Sequence, residues 1–289
     1  MMHANEIRTD AALVRRLLAR QFPRWADLRI EAVPSAGTSN AIYRLGDEMA
    51  VRLPRIEGAV GQVGFEHDWL PRLAPVLPIA VPEPIAQGQP GEGYPFRWAV
   101  GRWIDGTHPG EETRDELGFA VDLGEFVAAL RTADTSGAPT GYRGGPLRAW
   151  DPFVRETTAK AADVIDARAV LAAWEDALAQ PKWDGPPRWA HGDLIPGNIL
   201  VDAGRLRAVI DFGTAGTGDP ACDAIPAWTL LSARTRPAFR DAVGFDDATW
   251  ARGRGWALTF VGCIDYYRVT NPAMAELGRR AVAEVLAEL

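Results

Sequence analysis

The sequence predicts an α+β chain with a small, strand-rich front and a larger, mainly helical back. Three observations carry this. Between Leu28 and Arg55 apolar and polar residues alternate across turn-forming residues, the pattern of an antiparallel meander. Beyond Asp105 apolar residues recur at helical spacing in one long segment after another. Between the two, FRWAVGRWIDG reads as a buried strand ending in an Asp-Gly turn. That strand joins a front domain of residues 1–104 to a back domain of residues 105–289.

Taken in order, Ile7, Leu13, Val14, Leu17 and Leu18 place a helix over 6–21, with Asp10 near its first turn. Strands follow at about 29–34, 40–45 and 49–53, separated by the SAGTSN turn and by Gly-Asp-Glu at 46–48. VGFEHDWLPRL is helical as far as Leu73. The proline-rich VLPIAVPEPIAQGQPGEGYP is a long loop with a short strand inside, because proline donates no ladder hydrogen bond. In the back, helices are predicted over 112–132, 151–179, 222–233, 247–269 and 272–288. Leu117, Val121, Leu123, Phe126, Val127 and Leu130 mark the first of them. Between the second and third, NILVDAGRLRAVI reads as two short strands around an Ala-Gly turn at 203–204.

Composition excludes several chemistries. Of the 31 basic residues only Lys160 and Lys182 are lysines, and GxxxxGK[ST] is absent, so P-loop chemistry is ruled out. Two cysteines, Cys222 and Cys263, suit neither a disulfide scaffold nor a zinc site and point to a reducing compartment. The start, MMHANEIRTD, lacks the apolar core of a signal peptide, and no apolar run reaches membrane length, so the expectation is a cytoplasmic protein with no membrane partner. A net charge of −7 argues against nucleic-acid binding. Its distribution is uneven: residues 1–104 hold 12 Arg against 11 acidic residues, a net of +1, which leaves −8 for residues 105–289.

The chemistry concentrates in WAHGDLIPGNILVDAGRLRAVIDFGTAGTGDPACD, residues 189–223. Asp193, Asn198 and Asp211 sit on loops beside glycines, and the hairpin between them is expected to return Asp211 close to Asn198. Two carboxylates and an amide suit oxygen ligation, and Mg2+ prefers one or two such groups together with phosphate oxygens.

HGDLIPGN followed by IDFG resembles the catalytic and metal loops of the kinase-like antibiotic phosphotransferases, the aminoglycoside and macrolide kinases. Protein kinases carry the related pattern HRDxxxxN…DFG. Either half alone is a weak signal; the two at this separation are a specific one. The resemblance runs over nearly the whole chain, from the meander to DYYRVTNP. It implies a protein-kinase-like two-lobe fold, with a small N-terminal lobe built on an antiparallel sheet and a larger helical C-terminal lobe. It also implies Mg2+, with ATP or GTP as phosphoryl donor. Asp193 would orient the acceptor hydroxyl and take its proton; Asn198 and Asp211 would hold the metal. His191, Asp219 and Asp223 would brace the catalytic loop, with Asp219 capping the helix that follows.

In the front lobe the resemblance makes SAGTSNAIYRL the loop over the phosphates, with Gly37, Thr38, Ser39 and Asn40 approaching the nucleotide. Arg52 stands where that family's strand carries a phosphate-pairing lysine, and Glu66 would be its partner; Arg55 is an alternative cation. Backbone groups of Arg102 and Ile104 would read the purine edge, and Gly101 could leave extra room behind the base. Acceptor candidates are Asp151, Glu156, Asp265, Tyr266, Tyr267 and Asn271. The acidic back lobe suits a small cationic acceptor such as an aminoglycoside, since acidic clefts concentrate cations. Trp228, Trp250, Trp256 and Tyr267 could instead line a pocket for a macrolide. Two further readings are a metabolic kinase of a sugar or amino alcohol on the same fold and, prompted by Arg52, a catalytically weak nucleotide-binding protein.

Overall fold

The computed structural model describes residues 6–34 and 39–289. The chain divides into two compact units. One comprises Met1–Pro75, Ala80–Gly106 and Ala208–Gly213; the other comprises Val76–Ile79, Thr107–Arg207 and Thr214–Leu289.

The first unit is built on a five-stranded antiparallel sheet of β1 (Ile30–Val33), β2 (Asn40–Leu45), β3 (Met49–Pro54), β4 (Pro84–Gly88) and β5 (Trp98–Arg102), in the order β1-β2-β3-β5-β4. The three predicted meander strands form where the alternation placed them. The short strand inside the proline-rich stretch is β4, an edge strand, where Pro84 costs no ladder bond. Helix α1 (Ala11–Gln21) begins later than its apolar residues suggested, because Asp10 is its N-cap: the carboxylate accepts the Leu13 N–H at 2.7 Å. Its Leu13, Val14, Leu17 and Leu18 bury against Tyr43, Leu45, Val51, Leu53, Trp98 and Val100 of the sheet. Helix α2 (Val60–Leu73) ends at the predicted residue and turns Val63, Glu66, Leu70 and Leu73 inward.

The second unit is mainly helical, with α3 (Leu117–Leu130), α4 (Asp151–Lys160), α5 (Ala167–Ala179), α6 (Pro226–Thr229), α7 (Arg236–Val243), α8 (Asp247–Leu258), α9 (Val261–Tyr266) and α10 (Pro272–Glu288). Short strands β6 (Arg188–Ala190) and β9 (Gly216–Gly218) pair with each other, and β7 (Ile199–Asp202) and β8 (Arg205–Val209) form a hairpin. The hairpin turns at Ala203 and Gly204, both at positive φ, as a two-residue turn between twisted strands demands.

Two predicted long helices are broken, each for a local reason. The span 151–179 divides because Asp166 caps a new helix, accepting the Ala169 N–H at 3.0 Å. The span 247–269 divides where the Thr259 hydroxyl donates to the Trp256 carbonyl at 2.6 Å and competes with the helical ladder. The helix predicted at 222–233 contracts to α6 preceded by a 3₁₀ turn, and that at 112–132 shortens to α3. Helix α7 was not predicted: Phe239 and Val243 are the only apolar residues it buries, too narrow a stripe to register as a period. It packs close to α3, where a Cβ on Gly124 would lie 2.6 Å from that of Ala242. Trp228, Trp250 and Trp256 are core, not pocket lining, and the indoles of the first two donate to Glu288. No helix among the described residues is long and apolar enough to cross a membrane.

Candidate active site

The catalytic-loop candidates lie in the helical unit. Strand β6 delivers the chain to His191, which is fully buried. Asp223 then fixes the loop from beneath, its two carboxylate oxygens accepting the His191 and Gly192 N–H groups, each at 2.8 Å. Burial pushes the Asp223 carboxyl above its usual pKa, opposed by the charge of His191 and by those two N–H donors. Gly192 has φ +75°, a left-handed conformation that favours a residue without Cβ. The Thr214 hydroxyl ties the His191 carbonyl at 3.0 Å. Asp219 is placed as expected of a cap, accepting the Ala221 N–H at 3.0 Å, and it also forms a buried two-point ion pair with Arg252 at 2.8 and 3.2 Å.

This frame presents Asp193 with its side chain 27% exposed, open to a reactant. Asn198 bonds to it twice: Nδ2 donates to the Asp193 carbonyl at 2.8 Å and to Oδ2 at 2.9 Å. The amide nitrogen of Asn198 is thereby committed, and its Oδ1 meets no donor among the described residues. Arg143 was not predicted. Its Nη1 donates to the Gly192 carbonyl at 2.5 Å and to Asp193 Oδ1 at 3.3 Å.

The cation and the second carboxylate lie in the sheet unit. Asp211 follows β8 with φ +61°, a left-handed conformation that is rare outside glycine and concentrates at functional sites. Arg52 projects from β3. Its Nη1 donates to Glu66 Oε2 at 2.5 Å, and Nη2 donates to Gln62 Oε1 at 2.8 Å and to Asp211 Oδ1 at 2.9 Å. Asn40, with its amide oxygen turned to the guanidinium, accepts from Nε at 3.2 Å and Nη2 at 3.0 Å. Burial opposes the charge on Arg52, but Glu66 and Asp211 outweigh it and hold the guanidinium above its usual pKa. Glu66 is pushed up by the same burial, with Arg52 pulling it down and the charge of Asp211 pushing it up. Gln62 was also missed, although it stands four residues before Glu66 on α2 and therefore on the same face.

Of the two candidate cations, Arg52 meets Glu66 and Asp211, whereas Arg55 is paired with the buried Glu6 at 2.8 Å. Ser39 spends its carbonyl on the Arg55 N–H at 2.8 Å. Gly37 and Thr38 lie outside the described residues. The Arg102 N–H donates to the Glu83 carbonyl at 2.9 Å and so is not free to read a base; its side chain pairs with the Glu83 carboxylate at 2.7 Å. Ile104 follows in irregular backbone, partly buried. Gly101 does not leave an open space: a Cβ there would meet the same Glu83 carbonyl at 3.2 Å.

The acceptor candidates divide. Asp151 is held by the Trp174 indole at 2.7 Å and by Arg155 at 2.9 Å, which keep its carboxyl below the usual range. Glu156 pairs with Lys160 one turn away at 2.6 Å. Asn271 caps α10, accepting the Met274 N–H at 3.3 Å. Asp265 and Tyr266 are exposed, and the rings of Tyr266 and Tyr267 meet edge to face with centroids 4.8 Å apart.

Arg52→Ala is expected to weaken nucleotide binding at least about tenfold and to destabilise the fold by about 3–5 kcal/mol, since it strands the buried Glu66 charge. Arg52→Lys should recover much of both. Nucleotide titration and thermal melts check this; unaltered affinity in Arg52→Ala would remove Arg52 from the nucleotide site.

No cluster of three or more His, Cys, Asp or Glu side chains among the described residues makes a self-sufficient metal cage. Asp211 Oδ2 in the sheet unit and Asn198 Oδ1 in the helical unit are each oxygen atoms that meet no protein donor among the described residues. Oxygen donors of this kind suit Mg2+, which retains waters and takes further oxygens from phosphates.

Comparison with known proteins gives three findings. Residues 30–256 match the model of the phosphotransferase enzyme family. An aminoglycoside 3'-phosphotransferase from Streptomyces fradiae is 28% identical over 186 residues, which are 61% of this chain and 66% of that protein. Among solved structures, the GDP and kanamycin complex of APH(2")-IIia superposes with a TM-score of 0.71 at 18% identity, covering 95% of this chain and 98% of that one. A macrolide 2'-phosphotransferase from Brachybacterium faecium superposes with a TM-score of 0.63 at 20% identity, covering 96% and 97%. At these identities the superpositions establish a shared fold.

Proposed function

The chain belongs to the phosphotransferase enzyme family, and from that membership we propose that it moves the γ-phosphoryl group of a nucleoside triphosphate to a hydroxyl of a small molecule, an aminoglycoside first among them. The observation that carries the reading is the setting of Asp193: a partly exposed carboxylate whose backbone is anchored by Asp223 and whose side chain is aimed by Asn198. Phosphoryl transfer passes through a loose transition state and asks for positioning more than for a strong base. A carboxylate held at both oxygens answers that demand. It orients the acceptor hydroxyl and receives its proton as the new phosphate ester forms.

Arg52 supplies the fixed cation for the nucleotide phosphates. Four acceptors hold its guanidinium, so it need not reorganise to meet them. Asp211 Oδ2 and Asn198 Oδ1 would hold Mg2+, which, when bound, neutralises charge on the phosphate oxygens. The acceptor class follows the relatives, one of which is named for aminoglycosides and another of which holds kanamycin, together with the net charge of −8 on residues 105–289. The macrolide reading keeps the B. faecium neighbour and the exposed aromatic Tyr266 in its favour. GDP in the kanamycin complex of that neighbour is a reason to test GTP beside ATP as donor.

The test is a mass-spectrometric screen that crosses ATP and GTP, each with Mg2+, against aminoglycosides, macrolides and small polyols. A singly phosphorylated aminoglycoside is the expected product. Product on a sugar or amino alcohol alone would move the reading to a metabolic kinase, and no product on any acceptor would overturn it.

A further inference from the structure

We propose that Arg143 is a positioning residue for the reaction: it locks the catalytic Asp193 carboxylate in the orientation that receives the acceptor hydroxyl. The proposal rests on the phosphotransferase reading above.

The sequence around it, TGYRGGP, matches no catalytic motif, yet its backbone is tied to the strand that follows the metal loop. Gly141 and Tyr142 donate their N–H groups to the Thr217 and Thr214 carbonyls at 3.1 Å, and the Gly144 carbonyl accepts the Asp219 N–H at 3.3 Å. The two backbones run so close that side chains cannot fit between them. A Cβ on Gly216 would lie 2.4 Å from the Gly141 nitrogen, and one on Gly218 would lie 2.1 Å from the Gly144 oxygen. The backbone of Arg143 is thus fixed by the segment that also carries Thr214 and Asp219, two residues already engaged in or beside the catalytic loop.

Its side chain is fixed as tightly. The guanidinium carbon sits 5.4 Å from the ring centre of Tyr142, 5.6 Å from that of Trp150 and 5.5 Å from that of Phe260, within the range of cation–π attraction. Inside this cage Nη1 spans the Gly192 carbonyl and Asp193 Oδ1. Asn198 holds Oδ2, so both carboxylate oxygens are restrained from opposite partners and the side-chain torsions of Asp193 are set. The Nε–H of Arg143 is buried and meets no acceptor among the described residues. Phosphoryl transfer asks for orientation of the carboxylate more than for base strength.

Arg143→Met, which keeps the apolar stem in the cage, should lower kcat about 10²-fold, the effect of a reacting group displaced by roughly 1 Å. Arg143→Lys restores the charge but not the planar fork and should lose about tenfold. The KM for the nucleotide should stay within about twofold of wild type in both, because the hydrogen bonds of Arg143 go to the catalytic loop, at Gly192 and Asp193. Wild-type kcat in either variant, or a larger loss in Lys than in Met, would overturn the proposal. Should thermal melts show Arg143→Met unfolded, Arg143→Lys decides alone by the same criterion. Asp193→Asn assayed alongside separates the two failures: if it is inactive while the Arg143 variants are fully active, the positioning role falls and the phosphotransferase reading stands.

Discussion

Asp193→Asn is expected to lower turnover by about 10²–10⁴-fold, the range associated with losing a positioned acid–base group, while nucleotide affinity changes little. The substitution preserves size and shape. The amide oxygen can still meet Arg143 or Asn198, and the backbone bonds to Asp223 and His191 do not involve the side chain. What disappears is the oxygen that accepts the hydroxyl proton. Fold and nucleotide site should therefore persist, so a thermal melt and a nucleotide titration close to wild type will accompany the loss of kcat. Turnover above about a tenth of wild type would place the proton acceptor elsewhere.

Asp211→Asn should cost about 10²–10³-fold in turnover, as removal of one preorganised electrostatic partner does, and should raise the Mg2+ concentration needed for half-maximal rate. Asparagine is the substitution of choice here because it tolerates the left-handed backbone that Asp211 adopts at φ +61°. Its amide oxygen can also keep the bond to Arg52 Nη2 that Oδ1 makes now. Loss of the metal-facing charge is then separated from collapse of the Arg52 network. A Mg2+ titration of the rate reads the difference. Identical metal dependence in the variant and wild type would take Asp211 out of the metal site.

Much of this was legible in the sequence, and the reasons differ by level. The meander and α10 were readable because period-two alternation and apolar residues at helical spacing are local signals. Helix ends were less so: Asp10 and Asp166 act as caps, and an aspartate in a helical stretch looks the same whether it lies in the first turn or before it. Asp193, Asn198 and Asp211 stood out because HGDLIPGN and IDFG form a motif pair at a recognisable separation. Arg52 was singled out only because its position on β3 was compared with a lysine, and the pairing of Arg55 with Glu6, a contact across 49 residues, was not legible. Arg143 was beyond reach. Its partner is 50 residues away, and the aromatic cage that holds it joins Trp150 and Phe260. Asn271 and Asp151 show the converse, since polar residues beside a motif can serve a cap or an indole bond and still look like ligand contacts.

The central claim is that Asp193 directs a phosphoryl group onto a small-molecule hydroxyl. Phosphorus NMR of the protein incubated with Mg2+, ATP or GTP and kanamycin tests it most directly, with Asp193→Asn run in parallel. The account predicts a phosphomonoester resonance that grows as nucleoside diphosphate appears and that is absent with the variant. Inorganic phosphate alone, or the same monoester made equally fast by Asp193→Asn, would contradict it.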